Sequence, residues 1–234
     1  MKNVRTVFFD AGQTLLSANP PVERVYQTVF AEHGVNVSEE EIHRAVHATW
    51  KEVDARRERG EERWGGADGE FGFWRRFVQA VFQHVGGGAL PGALLVRLIE
   101  HFKDDRHWTV YPEVCEVLAE LSGAGVKLLV ISNWDSSLPR LLERLDLLPF
   151  FDDVIVSATF GASKPARAIF DEAVRRAGVT HGEALHVGDS LEEDYLGARA
   201  AGLDALLVDR AGRAPEGIET ICSLSELPSR VLAR

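Results

Sequence analysis

Four stretches of this chain carry an apolar run into side chains that can do chemistry. Val7, Phe8 and Phe9 lead into Asp10, with Gly12 and Thr14 two and four residues on. Leu128 to Ile131 lead into Ser132 and Asn133, and Lys164 stands in "GASKP". "EALHVGD" delivers Asp189, and Asp194 follows in "GDSLEED". The set offers two or three carboxylates, a hydroxyl and a lysine. A carboxylate can attack phosphorus and form an acyl phosphate. In-line phosphoryl transfer also needs neutralised phosphoryl oxygens and usually a metal. Singly, each group has a structural use, as a turn or helix-start acid or as a solvated lysine. Their shared position, each at or just beyond a strand end, points to a site.

The elements that must position them are legible as short apolar runs at 5–10, 126–132, 153–158, 183–189 and 203–209. Each is mostly apolar on both faces, the pattern of a parallel sheet covered on both sides. Helical segments at 112–125, 136–148, 164–178 and 191–202 alternate with them. The class is therefore α/β, a doubly wound, Rossmann-like parallel sheet, whose ligands bind at the carboxyl ends of the strands. Between the first strand and residue 112 the alternation stops. Amphipathic helices are expected at 20–34, 38–60, 69–88 and 91–102, the second opened by a capping box from Ser38 and Glu41. The expected division is a core of 1–17 and 107–234 and an inserted all-helical cap of 18–106.

Composition narrows the function further. The chain has 234 residues, 45% hydrophobic and 26% charged, enough for a core domain and a small insertion. A net charge of -10 argues against nucleic acid or an anionic membrane as partner. No signal peptide and no long apolar span is apparent, so a cytoplasmic protein, monomer or homodimer, is expected. Cys115 and Cys222 lack metal-binding or redox spacing and read as reduced, buried thiols. Only 5 lysines stand against 21 arginines, which draws attention to Lys164.

In order and type, these motifs resemble the haloacid dehalogenase (HAD) superfamily of aspartate-nucleophile hydrolases. "VFFDAGQTLL" is similar to the first motif, "LLVISNW" to the second, "SKPARAIF" to the third and "HVGDSLEEDYLGARAAG" to the fourth. The resemblance spans nearly the whole chain, and the helical insertion matches the cap of subfamily I. It implies a Rossmann-like core with a mobile cap. It also implies roles: Asp10 as nucleophile, with Ser132 and Lys164 completing the catalytic set. Thr14, Ser132, Asn133 and Lys164 hold the substrate. A Mg²⁺ ion is held by Asp10, the Gly12 carbonyl and Asp189, with Asp194 in support. The implied partner is a small phosphorylated metabolite.

Gly12 departs from the pattern. The family's phosphatases normally carry a second aspartate there, which protonates the leaving group and later activates water. A carbonyl ligand survives the change to glycine, but a proton shuttle does not, and a missing general acid–base removes about 10²–10⁴ in rate. Three readings follow. One is a 2-haloacid dehalogenase, whose leaving halide needs no proton, although such enzymes use no metal and do not normally keep the Gly188–Asp189 pair. The second is a phosphatase with a good leaving group or an acid supplied from the cap. The third is a weak member that binds a phosphorylated ligand or protein. The Gly-Asp pair favours the second.

Other candidates carry less. His43 and His47 form an i, i+4 pair without a third metal ligand. Trp50, Trp64, Phe71, Phe73 and Trp74 are read mainly as core of the cap, with a pocket lining as the alternative. The Gly-rich loop at 59–70 is read as an exposed connection.

Overall fold

The computed structural model describes residues 4–61 and 69–233. Trp64 and most of the Gly-rich loop lie outside the described residues. In chain order, β1 (Thr6–Phe9) is followed by β2 (Leu16–Ala18) and four helices, α1 (Val22–Ala31), α2 (Glu39–Glu58), α3 (Gly69–His84) and α4 (Gly92–Lys103). Then come β3 (Trp108–Val110), α5 (Val114–Gly123), β4 (Lys127–Ser132), α6 (Leu138–Arg144), β5 (Asp153–Val156), α7 (Ser157–Phe160) and α8 (Arg167–Ala177). The chain ends with β6 (Ala184–Gly188), a π-helical turn (Leu191–Leu196), α9 (Gly197–Ala201), β7 (Asp204–Val208), β8 (Thr220–Ile221) and α10 (Leu227–Val231). It divides into two compact units, one of Met1–Ser17 with Thr109–Arg234 and one of Ala18–Trp108.

The first unit is built on a six-stranded sheet in the order β5-β4-β1-β6-β7-β8, with every pairing parallel. Phe9 lies beside Val130 on one side and Val187 on the other. The strand order therefore turns at β1, the topological switch point where open α/β sheets place their ligands. All four residues of β1 are buried. Phe8, Leu129, Ile131 and Ile155 pack against Ile169, Phe170 and Ala173 of α8 and Ala198 of α9. Each large apolar side chain so buried contributes about 1.5–3 kcal/mol.

The second unit has its own core. Val25, Tyr26, Val29 and Phe30 form the buried stripe of α1, and Phe73, Phe77, Val78, Val81 and Phe82 that of α3. The rings of Phe30 and Phe82 meet edge to face at 5.0 Å. Trp50 lies 4.5 Å from Phe77 and 6.5 Å from Trp74, so Trp50, Phe73, Trp74 and Phe77 form one aromatic cluster within this unit. Phe71 stands apart, 54% exposed. The capping box forms, with the Glu41 amide donating to Ser38 Oγ and the Ser38 amide to Glu41 Oε2. His43 hydrogen-bonds Glu23 at 2.9 Å.

Several sequence-based expectations need correction. The strand expected to reach 158 ends at Val156, because Ser157 opens α7. The helix expected over 191–202 is two pieces, a π-helical turn and then α9. The short edge strand β8 and helix α10 carry no clear signal in the sequence pattern. The cysteines are free but exposed rather than buried. Cys115 falls off the inward stripe of α5, which is Val114, Val117, Leu118 and Leu121, and Cys222 follows the edge strand. Among the described residues no helix is long and apolar enough to cross a membrane.

Candidate active site

The tips of β1, β4 and β6 are neighbours in the sheet, and the residues just beyond them meet. Asp10 Oδ1 accepts hydrogen bonds from Ser132 Oγ at 3.0 Å and Lys164 Nζ at 2.6 Å. Lys164 Nζ also donates to Asp194 Oδ1 at 2.5 Å. All four side chains are buried, Lys164 to 1% exposure. Asp10 Oδ2 has no donor among the described residues, and the Asp10 side chain keeps 10% exposure. The carboxylate is thus gripped by one oxygen and open at the other.

Local sequence explains how each group is held. A Cβ on Gly188 would lie 2.2 Å from Asp194 Cγ, so only glycine lets Asp194 lie against the end of β6. The Ser190 carbonyl accepts from both the Asp194 and Tyr195 amides at 3.1 Å. The second of these is an i to i+5 bond, the wide π-helical turn often found at functional sites. Asp194 Oδ2 accepts from the Ser190 amide at 3.0 Å, which fixes the carboxylate from a second side. Lys164 is fixed through its backbone. Its amide donates to Asn133 Oδ1 at 2.8 Å, and Asn133 Nδ2 donates back to the Lys164 carbonyl and to Glu193 Oε2, both at 2.9 Å.

Two residues expected to bind substrate are therefore occupied by the protein. Asn133 uses its amide to brace Lys164 and Glu193. Thr14 is fully buried, with its hydroxyl 3.4 Å from Asp189 Oδ1. Both are placed to position other site residues. Ser132 and Lys164 remain next to the open nucleophile.

The charges do not balance. Burial would drive the Lys164 ammonium to lose its proton, but the carboxylates of Asp10, Asp194 and Glu193 hold it charged and push its pKa up. Burial also opposes the Asp194 charge, but Lys164 and His186 overcome it and hold that carboxyl well below the usual range. Asp10 is raised, because burial outweighs the help from Lys164. Asp189 keeps some exposure at the rim yet is closely surrounded by protein. Desolvation, then the charges of Asp10 and Asp194, raise it well above an ordinary aspartate. One ammonium faces several acids, and a further cation would relieve the excess.

The donor set suits a hard cation. Asp10, Asp189 and Asp194 each offer a carboxylate oxygen, all within 4.8 Å of one another, and they are the group of this kind found among the described residues. Asp194 has both oxygens engaged by Lys164, His186 and Ser190. That leaves Asp10, Asp189 and the Gly12 carbonyl. The turn after β1 bonds around Gly12, with the Leu16 amide donating to the Ala11 carbonyl at 3.0 Å and the Gln13 amide to the Leu16 carbonyl at 2.6 Å. The Gly12 carbonyl has no partner among the described residues. Oxygen ligands of this kind, few and supplemented by water, fit Mg²⁺.

His186 does not stand out in the sequence. It is fully buried in β6, and its Nε2 donates to Asp194 Oδ1 at 2.9 Å. The acceptor is a carboxylate oxygen, which sets the tautomer. Nδ1 has no partner among the described residues. The one signal in the sequence is a lone imidazole inside the apolar run "ALHVG". Glu193 escapes sequence reasoning too, because its contact with Asn133 joins loops 60 residues apart.

A sequence model of the haloacid dehalogenase-like hydrolases matches residues 4–202. The haloacid dehalogenase-like hydrolase domain-containing protein 3 of Bos taurus is 31% identical over 209 residues, covering 88% of this chain and 82% of its own. The glyceraldehyde 3-phosphate phosphatase of Methanopyrus kandleri is 27% identical over 219 residues, covering 88% and 84%. Among solved structures, the L-2-haloacid dehalogenase from Xanthobacter autotrophicus has a TM-score of 0.76 at 22% identity, covering 98% of this chain and 99% of its own. At that identity the likeness is one of fold.

Proposed function

The chain belongs to the haloacid dehalogenase-like hydrolase family, and on that premise we propose that it is a Mg²⁺-dependent phosphatase of a small phosphorylated metabolite, working through an aspartyl phosphate on Asp10. The observation that carries this reading is the one-sided grip on Asp10. Oδ1 is held by Ser132 and Lys164, Oδ2 has no donor among the described residues, and the Asp189 carboxylate lies within 4.8 Å of that of Asp10. The relative from Methanopyrus kandleri, named a glyceraldehyde 3-phosphate phosphatase, supports the substrate class.

Asp10 Oδ2 attacks phosphorus, and the bond to the leaving oxygen breaks with its electron pair. Lys164 and Ser132 orient the nucleophile and offset the charge of the phosphoryl oxygens. Water then attacks the acyl phosphate, releasing inorganic phosphate and restoring Asp10. When bound, Mg²⁺ neutralises phosphoryl charge and fixes the phosphoryl group for in-line displacement. Asp10, Asp189 and the Gly12 carbonyl are the groups that would hold it. Gly12 supplies no proton, so the leaving group must depart without help from that position.

One observation favours a second reading, a metal-independent 2-haloacid dehalogenase. Gly12 is what a halide leaving group permits. Against it stands the surplus of acids around Asp189, which metal-free displacement does not need. The two are separated by assaying phosphate esters and 2-haloacids with Mg²⁺ and with EDTA, alongside Asp10→Asn. The phosphatase reading expects phosphate release that needs Mg²⁺ and falls by at least ~10³-fold in Asp10→Asn, a loss typical of a removed nucleophile. Halide release in EDTA would replace it with the dehalogenase. Turnover of neither class would leave a binding protein.

A further inference from the structure

Position 12, which carries no acid, has an aromatic neighbour. A Cβ on Gly12 would lie 3.5 Å from Cζ3 of Trp134, ordinary contact distance, so the indole borders the place where a side chain at 12 would begin. The two residues occupy equivalent places. Gly12 is two residues beyond the nucleophile Asp10 on the loop after β1. Trp134 is two residues beyond Ser132, which bonds that nucleophile, on the loop after the neighbouring strand β4.

Trp134 is held firmly. Its amide donates to Ser157 Oγ at 3.2 Å, and its carbonyl accepts from Ser157 Oγ at 3.2 Å and from the Ala158 amide at 3.3 Å. Ser157 is fully buried, and Asn133 just before Trp134 is locked to Lys164. Trp134 as a whole is half-buried. Gln13, which follows Gly12, has its amide oxygen engaged by the Tyr111 hydroxyl at 3.3 Å. Gly12 and the edge of Trp134 thus lie side by side just beyond β1 and β4, and neither brings an acid.

We propose that Gly12 and Trp134 form a flat apolar subsite for the leaving group, and that the chain hydrolyses aryl phosphate monoesters in preference to alkyl ones. This rests on the phosphatase reading above. A ring is attracted to an indole by stacking or edge-to-face contact beyond simple burial. A phenolate also leaves without prior protonation, which suits a site with no acid at position 12. In the step, the bond from Asp10 Oδ2 to phosphorus forms and the bond from phosphorus to the aryl oxygen breaks. The electron pair goes to the phenolate, which takes its proton from solvent. Water then cleaves the acyl phosphate, so one ester and one water give one phenol and one phosphate.

The test compares phenyl phosphate with hexafluoroisopropyl phosphate, whose leaving groups are similar in acidity but differ in having a ring. The wild-type protein is expected to prefer the phenyl ester in kcat/KM by about 10-fold, the size of one good aromatic contact. Trp134→Ala should abolish that preference through KM, and Trp134→Phe should restore most of it. Should Trp134→Ala fail to fold, Trp134→Leu keeps the bulk without the ring and takes its place. An unchanged ratio in the ring-less variant, or no preference in the wild type, overturns the subsite while the phosphatase reading stands. If neither ester shows hydrolysis that Asp10→Asn removes, both fall together.

Discussion

On the outer face of α8, Glu172 accepts hydrogen bonds from Arg175 at 2.8 Å and Arg176 at 2.7 Å. Around Lys164 the ammonium donates at 2.6 Å to Asp10 and 2.5 Å to Asp194. The lengths are nearly the same and the settings are opposite. Arg175 is 70% exposed, and Lys164 is 1% exposed. Water solvates the arginines whether or not Glu172 is present, so such pairs contribute little. Lys164 has no such alternative, and removing either partner there strands a charge in a dry site. The arginine bonds lower Glu172 to about 2, a local shift with small consequence for folding because solvent screens it. Geometry alone does not separate a structural device from surface decoration, but burial does.

The largest effect expected from that contrast is at Lys164. Lys164→Met removes the ammonium between the Asp10 and Asp194 carboxylates and should cost about 3–5 kcal/mol in urea unfolding at neutral pH. The cost should shrink as pH falls, because the stranded carboxylates can take protons. A variant unfolding like the wild type would remove the distinction between the two clusters.

Divalent metal comes next. The folded-state pKa of Asp189 is raised, so ionising it costs stability as pH rises from the ordinary aspartate value through the raised one. A cation needs the ionised form, so it binds best above that raised pKa and loses to protons below it. Mg²⁺ at 100 times its Kd should add about 2.7 kcal/mol, with a larger rise in melting temperature at pH 8 than at pH 5. Asp194 behaves oppositely. Its lowered pKa gives stability present at neutral pH and lost only in strong acid. A pH-independent effect of Mg²⁺ on melting would mean that Asp189 is not a ligand.

His186→Phe sharpens the contrast inside the buried cluster. It removes one donor to Asp194 while Lys164 remains, with an expected cost of about 1–3 kcal/mol in stability. Because Asp194 helps to hold Lys164, kcat should fall about 10-fold with KM little changed, the pattern for an interaction that matters in the transition state. A rise in KM alone would contradict the assigned link to Lys164. The smallest effect belongs to the surface. Glu172→Gln should leave melting and turnover within experimental error, and a clear loss of stability would show that this surface cluster, whose Glu172 side chain is 17% exposed, is undervalued.

Much of the site is legible in the amino-acid sequence. Asp10, Ser132, Lys164 and Asp189 each follow a run or turn whose pattern places them at a strand end, and local pattern is what a sequence expresses. Thr14 and Asn133 are legible as site residues, and the structure adds bonds of theirs to Asp189, Lys164 and Glu193 that the sequence does not show. Whether a polar group faces a ligand or a neighbouring loop depends on contacts far along the chain. Asn133 bonds a backbone 31 residues away and Thr14 a carboxylate 175 residues away. His186 and Glu193 escape a sequence reading for the same reason. The single helix expected over 191–202 is broken because the π-helical turn serves Asp194, and local helix propensity says nothing of that demand.

The sequence by itself determined the class of fold, the order of the strands β1, β4, β5, β6 and β7 and of the helices between them, and the absence of an acid at position 12. These follow from periodicity, from turn and cap residues, and from side-chain identity, all local properties. Only the tertiary structure decided which oxygen of Asp10 is gripped and which is open, that Asp194 is fully engaged by Lys164, His186 and Ser190, and that Trp134 borders Gly12. Those facts depend on parallel pairing that sets Phe9 beside Val130, 121 residues on, and beside Val187, 178 residues on. Burial then turns ordinary carboxylates into charges that must find a cation.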